Sequence, residues 1–155
     1  MGDPYNRHTI RRDGSGVDAG MRGEQAFACW LIKHNVSFTF IGPEKQFHDF
    51  DVLGHKFDVK AKDRPSGYSP DYEAHVEDRL EGEDCDSYVF YSVTDGEVTA
   101  CGWMPRSKYW EQAKRVNKGD ETSPGFKEKA DAGKLIYSEL KSMDELCTFL
   151  QKEEL

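Results

Sequence analysis

Phe47-His48-Asp49-Phe50-Asp51-Val52-Leu53-Gly54-His55-Lys56-Phe57-Asp58-Val59-Lys60-Ala61-Lys62 is the stretch on which the fold turns. Its alternation of apolar and charged residues makes two short strands, with Leu53-Gly54-His55-Lys56 as the turn. Side chains of a strand alternate faces, so Asp58, Lys60 and Lys62 share one face and Phe57, Val59 and Ala61 the other. A turn of that length folds Asp51 back beside Asp58. Asp49 points the same way as Asp51, and Asp51 is taken as the partner because it leaves the shorter connection. Two carboxylates and an ammonium then meet at one sheet edge. Carboxylate oxygens hold a hard divalent cation. A neighbouring lysine orients or activates a water, and the set is equipped for metal-assisted phosphodiester hydrolysis.

The Asp-x-Lys spacing alone is not diagnostic, since Glu139-x-Lys141 repeats the pattern. Its context is more specific. Upstream, residues 20–35 carry Ala26, Phe27, Trp30 and Leu31 at helical spacing, with Glu24 in the first turn after Gly23. Residues 36–41 alternate as a strand, and Gly42-Pro43-Glu44 ends it. Downstream, residues 72–80 read as a short helix. Ser87-Tyr-Val-Phe-Tyr-Ser-Val93 reads as a central strand covered on both faces. Asp95-Gly96 is a turn signal, residues 98–104 a strand, 105–116 a helix and 117–125 a loop. Residues 135–140 read as a last strand. Ser142 caps a closing helix over 143–150, with Glu145 three residues on. The expected fold class is α/β: a mixed sheet flanked by helices.

This arrangement resembles the PD-(D/E)XK nuclease superfamily, the restriction-endonuclease-like fold, over residues 22–150. Cys101-Gly102-Trp103-Met104-Pro105 leading into a helix is similar to its phage and bacterial members. The resemblance implies a Mg²⁺-dependent deoxyribonuclease, with Mn²⁺ able to substitute. It assigns the metal to Asp51 and Asp58, with Glu24 and the carbonyl of Val59 as further ligands, and the catalytic lysine to Lys60. Phe50 stands where many members have Pro before the first Asp. Lys62, Arg106 and Lys108 are candidate contacts to DNA phosphates, with a solvated charged surface as the plain alternative. The implied partners are DNA and, for cutting both strands, further copies of the chain in a homo-oligomer. The alternative function is a non-catalytic DNA-binding or assembly module on the same fold.

The chain has 155 residues, enough for one domain with a sizeable core. Residues 1–18 carry Arg7, His8, Arg11 and Arg12 and read as a flexible basic arm ahead of a nuclease-like domain over 19–155. Of the net charge of −8, residues 63–86 hold −7, with nine acids and two bases. They read as an acidic insertion, either a gate or an assembly surface, which leaves the remainder nearly neutral and able to meet DNA locally. Met1-Gly2-Asp3-Pro4-Tyr5 has no apolar signal core and no apolar run is long enough to span a bilayer, so no membrane partner and a cytoplasmic location are expected. Cys29, Cys85, Cys101 and Cys147 form no Cys-x-x-Cys pair, which disfavours zinc. Cys29, Cys101 and Cys147 are expected as buried thiols. The absence of Walker-type and GxGxxG glycine loops excludes the usual nucleotide-binding classes.

Overall fold

The structure, a computed structural model, describes residues 15–41 and 49–154. Most of the proposed N-terminal arm, the Gly42-Pro43-Glu44 break and His48 lie outside the described residues. Helix α1 (Ser15–Lys33) starts earlier than its apolar stripe suggests. It ends where Asn35 takes a left-handed φ of 57°, and the N–H of Val36 reaches back to the carbonyl of Leu31 at 2.9 Å. Then come β1 (Thr39–Phe40), β2 (Phe50–Val52), β3 (His55–Asp63), β4 (Glu73–Glu77), β5 (Ser87–Thr94) and β6 (Glu97–Pro105). They are followed by α2 (Arg106–Gln112), β7 (Lys114–Val116), β8 (Glu121–Ser123), β9 (Phe126–Lys127), β10 (Ala132–Ile136) and α3 (Met143–Glu154).

The main sheet has the order β1-β2-β3-β5-β6. Strands β3 and β5 are parallel, and its other neighbours are antiparallel. The mixed sheet expected from the sequence is therefore present. A second antiparallel sheet, β4-β10-β7, lies apart from it. One face of the main sheet buries Phe50, Val52, Phe57, Val89, Tyr91 and Trp103 against Phe27 and Leu31 of α1 and Leu146 and Leu150 of α3. The other buries Tyr88, Phe90 and Met104 against Ala74 and Val76 of β4, Leu135 of β10, and Tyr109 and Trp110 of α2. Strand β5 is thus covered on both sides, which is why its sequence is an almost unbroken apolar run.

Of residues 72–80, expected as a short helix, only Asp78–Leu80 is helical, as a single 3-10 turn. Glu73-Ala74-His75-Val76-Glu77 has period two, and Ala74 and Val76 are buried while Glu73 is exposed, so the segment pairs with β10 as a strand. The helix expected over 105–116 stops at Gln112, because Ala113 turns extended and residues 114–116 join the second sheet. The loop expected over 117–125 contains β8, and the last strand runs over 132–136 rather than 135–140. The acidic stretch belongs to both sheets, since Asp63 ends β3 and Glu73–Glu77 is β4. Its charges are answered locally: Glu81 and Asp78 pair with Arg115, and Asp84 with Lys56. Ser142 and Glu145 form the reciprocal cap of α3. Cys29 is exposed, contrary to expectation, because its helical position points away from the sheet; Cys85 is buried. Among the described residues no helix is long and apolar enough to cross a membrane.

Gly23 fixes how α1 meets the sheet. A Cβ there would stand 2.8 Å from Cβ of Ala61 and 3.2 Å from Cγ1 of Val59. The helix backbone therefore lies directly on β3, and the next residue, Glu24, is buried near Asp49. Gly23→Val should force the two apart and cost on the order of 1–3 kcal/mol, read by urea denaturation. An unchanged midpoint would mean that the helix does not depend on this approach.

Candidate active site

The hairpin β2-β3 sets the geometry of the site. Its turn is shorter than the sequence suggests. Leu53 (φ 52°) and Gly54 (φ 83°) are both left-handed, and Val52 pairs directly with His55. This is a two-residue turn of the type whose twist suits a hairpin. It places Asp51 opposite Lys56 and Phe50 opposite Phe57. The ladder ends at that pair: Asp49, just before β2, turns its N–H to the carbonyl of Phe57, and its carboxyl comes close enough to Asp58 to feel its charge. The expected four-residue turn would have put Asp51 there. A shift of two residues keeps every side chain on its face and changes only its partner.

Asp49 is fastened on three sides. Its N–H donates to the carbonyl of Phe57 at 2.9 Å, and its carbonyl accepts from the N–H of Ile41 at 2.8 Å. Its carboxylate oxygen Oδ2 accepts from the N–H of Val59 at 2.8 Å, an amide of β3 that reaches past the start of β2. The side chain is buried, and its carboxyl is held well above the usual carboxylate range. Burial is the main cause, followed by the charges of Asp58 and Glu24.

Lys60 binds two carboxylates of this cluster. Its Nζ lies 2.7 Å from Oδ2 of Asp58 and 2.9 Å from Oε1 of Glu83, with the ring of Tyr88 beneath it at 5.5 Å. Burial pulls the ammonium towards neutrality, but Asp58 and Glu83 together outweigh it and hold its pKa above the ordinary lysine value. Lys60 is thus not a solvent-facing strand lysine, because Glu83 of the 81–86 segment reaches it. Glu83 is itself pushed up to about 7, first by burial and then by the charge of Asp58, with Lys60 opposing. Cys85 beside it is pushed up by burial and by the same two carboxylates.

Glu24, Asp49, Asp58, Glu83 and Glu128 are the buried acids among the described residues. Glu128 is answered separately by Lys134 at 2.6 Å. Of the other four, Asp58 and Glu83 hold the ammonium of Lys60, and Asp58 and Glu24 lie close enough to Asp49 for their charges to act on it. Burying charge without full compensation is costly, and the raised carboxyls of Asp49 and Glu83 carry that cost here. In chelator it should leave a pH signature. The folded protein takes up a proton on Glu83 at about pH 7, the unfolded chain only near 4.5. Stability from this group is complete below the unfolded value and lost as pH rises through the folded one. Glu83→Gln removes that loss, so the variant's melting temperature should gain on wild type between pH 4.5 and 7. A flat difference across that range would contradict the burial argument.

The remaining sequence candidates are dispersed. Asp51 is half-buried and two residues from the cluster. Lys62 is exposed two residues beyond Lys60, and Lys108 is exposed on α2. Arg106 is not a surface grip. Its Nε donates to the carbonyl of Cys85 at 2.8 Å and its Nη1 to the carbonyl of Glu81 at 2.9 Å, so it braces the segment that carries Glu83. Arg106→Ala should cost about 1–3 kcal/mol by urea denaturation, and Lys108→Ala less than about 0.5. Equal small effects would return Arg106 to the surface. Glu83 was missed from sequence because Glu81-Gly82-Glu83-Asp84 reads as one solvated acidic run.

Among the described residues no three His, Cys, Asp or Glu side chains stand as a ready-made set for a metal ion. Asp58 and Glu83 both turn to Lys60 instead. The donor chemistry still fits a hard divalent cation. The cluster offers carboxylate oxygens, and burial followed by the neighbouring carboxylates raises the carboxyls of Asp49 and Glu83, so added positive charge would be favoured there. No family model matches the chain, and no curated protein or solved structure matches it either, so the chemistry of the site stands on these distances and burials.

Proposed function

We propose that this chain is a Mg²⁺-dependent DNA nuclease with a restriction-endonuclease-like core, in which Asp49 takes the place first given to Asp51. The supporting observation is the burial of four acids close together, with Lys60 held between Asp58 and Glu83, and Asp49 raised by the charges of Asp58 and Glu24. Asp49 and Asp58 would hold the ion, with Glu24 and the carbonyl of Val59 as further ligands. A divalent cation bound there supplies charge to polarise the scissile phosphate and to lower the pKa of an attacking water.

The chain's own groups divide the remaining work. Lys60 stays protonated at neutral pH, because the two carboxylates hold its pKa above the ordinary value. It therefore acts as a fixed positive charge that offsets the phosphate and orients the water, and it does not serve as the proton acceptor. Tyr88 closes the site from below and keeps Lys60 in a medium where its charge counts for more than in water. Arg106 holds the Glu83 segment in place. Action on both strands of a duplex would take two copies.

A second reading has its own support. Lys60 is already answered by two carboxylates, as in a structural ion-pair network, which favours a non-catalytic DNA-binding module. Incubation with plasmid, linear and branched DNA in Mg²⁺, Mn²⁺ or chelator separates the two. The nuclease reading expects cleavage with either ion and none in chelator. Binding without cleavage in either ion would leave the module.

A further inference from the structure

Beyond Lys60 the same face of β3 leads to a second built feature. Lys62 follows on that face, and Arg64 comes two residues later. Four residues of strand place Arg64 about 13 Å from Lys60. The Arg64 guanidinium lies between two rings, 4.7 Å from the centroid of Tyr72 and 5.3 Å from that of Tyr137. Its Nη2 donates to the carbonyl of Glu73 at 2.8 Å and to the hydroxyl of Tyr137 at 3.0 Å. On Tyr137 lies Tyr68, its ring nearly parallel at 14° and 5.8 Å between centroids. Tyr137 is buried, whereas Tyr68 is 41% exposed.

The loop that carries Tyr68 is tied down. Thr94 Oγ1 donates to the carbonyl of Ser66 at 3.0 Å, and Ser66 Oγ meets the Tyr72 hydroxyl at 2.7 Å. The N–H of Tyr72 donates to the carbonyl of Ser69 at 3.1 Å, and that of Ser138 to the carbonyl of Pro70 at 3.0 Å. An exposed ring on a fastened loop, backed by a buried ring and a guanidinium, is pre-oriented to receive another flat group. An aromatic face of this kind takes an unpaired base with little preference for sequence.

We propose that Tyr68 is a stacking platform for a base of single-stranded nucleic acid, a few nucleotides along the strand from the bond held at Lys60. The direction towards Lys60 rests on the nuclease reading; the platform itself does not. Duplex bases are already stacked on one another and do not present a face to Tyr68. The ring therefore selects single-stranded substrate or the unpaired part of a branched one.

The test is equilibrium binding of a fluorescein-labelled single-stranded oligonucleotide and of a blunt duplex, in chelator, to wild type, Tyr68→Ala and Tyr68→Trp. Tyr68→Ala should lose roughly 5- to 150-fold in single-strand affinity, with duplex affinity and melting temperature unchanged. Tyr68→Trp should retain or tighten binding. Unchanged single-strand affinity in Tyr68→Ala, equal loss on both substrates, or no single-strand binding by wild type would each overturn the proposal. Cleavage is measured separately with Mg²⁺. Cleavage by wild type with binding indifferent to Tyr68 rejects the platform alone, and Tyr68-dependent binding without cleavage rejects the nuclease alone.

Discussion

Asp49→Asn should abolish Mg²⁺-dependent cleavage, a loss of roughly 100-fold or more, because the charge stabilisation from a bound ion is worth several kcal/mol. In chelator the same variant should be at least as stable as wild type. Asn retains an oxygen to accept the N–H of Val59, and it removes a buried charge that Asp58 and Glu24 oppose. Asp51→Asn should leave cleavage largely intact, because its register partner is Lys56. Plasmid nicking and thermal melts of the two variants decide the matter. Loss of stability in Asp49→Asn would mark the carboxylate as a structural anchor. Equal loss of cleavage in Asp51→Asn would restore the longer turn's register.

Lys60→Ala should be the most destabilising substitution in the site. It strands Asp58 and Glu83 beside each other in a buried setting, and removal of one partner of a buried pair costs about 3–5 kcal/mol. Because Glu83 titrates near 7, the cost should be greater at pH 8 than at pH 5, where protonation relieves it. Adding Glu83→Gln should recover part of the loss, with a coupling of about 0.5–3 kcal/mol in a double-mutant cycle. The double variant also keeps the catalytic question open if the single one fails to fold. Its cleavage should still be down by about 10²–10³, the usual worth of a fixed charge aimed at the transition state. Additive effects in denaturant would mean that Lys60 and Glu83 do not share this contact in solution.

Much of the scaffold could be read from residue patterns. The apolar run of β5, the stripe of α1 with Gly23 and Glu24 at its start, and the Ser142–Glu145 cap all follow from local chemistry. So does the shared face of Asp58 and Lys60, because strand alternation depends on sequence alone. Pairing across the hairpin was misread, since only Gly54 announces a left-handed turn residue. Leu53 adopts φ 52° against its own preference, so nothing in its identity marks the turn as two residues long. That difference set Asp51 opposite Lys56 and left Asp49 as the carboxyl beside Asp58. Residues 72–80 were misread because a five-residue alternation was weighed as a helical turn. The burial of Lys60 was illegible for another reason: Glu83 reaches it from 23 positions away, and no local pattern separates Glu83 from its solvated neighbours.

Calorimetric titration of Mn²⁺ and Mg²⁺ into wild type, Asp49→Asn and Asp51→Asn bears most directly on the central claim. The buried acids beside Lys60 should bind a divalent cation in wild type and in Asp51→Asn, and not in Asp49→Asn. Binding should also raise thermal stability by about 2.7 kcal/mol at a hundredfold excess over Kd. No binding heat in wild type, or the same heat in Asp49→Asn, would contradict it.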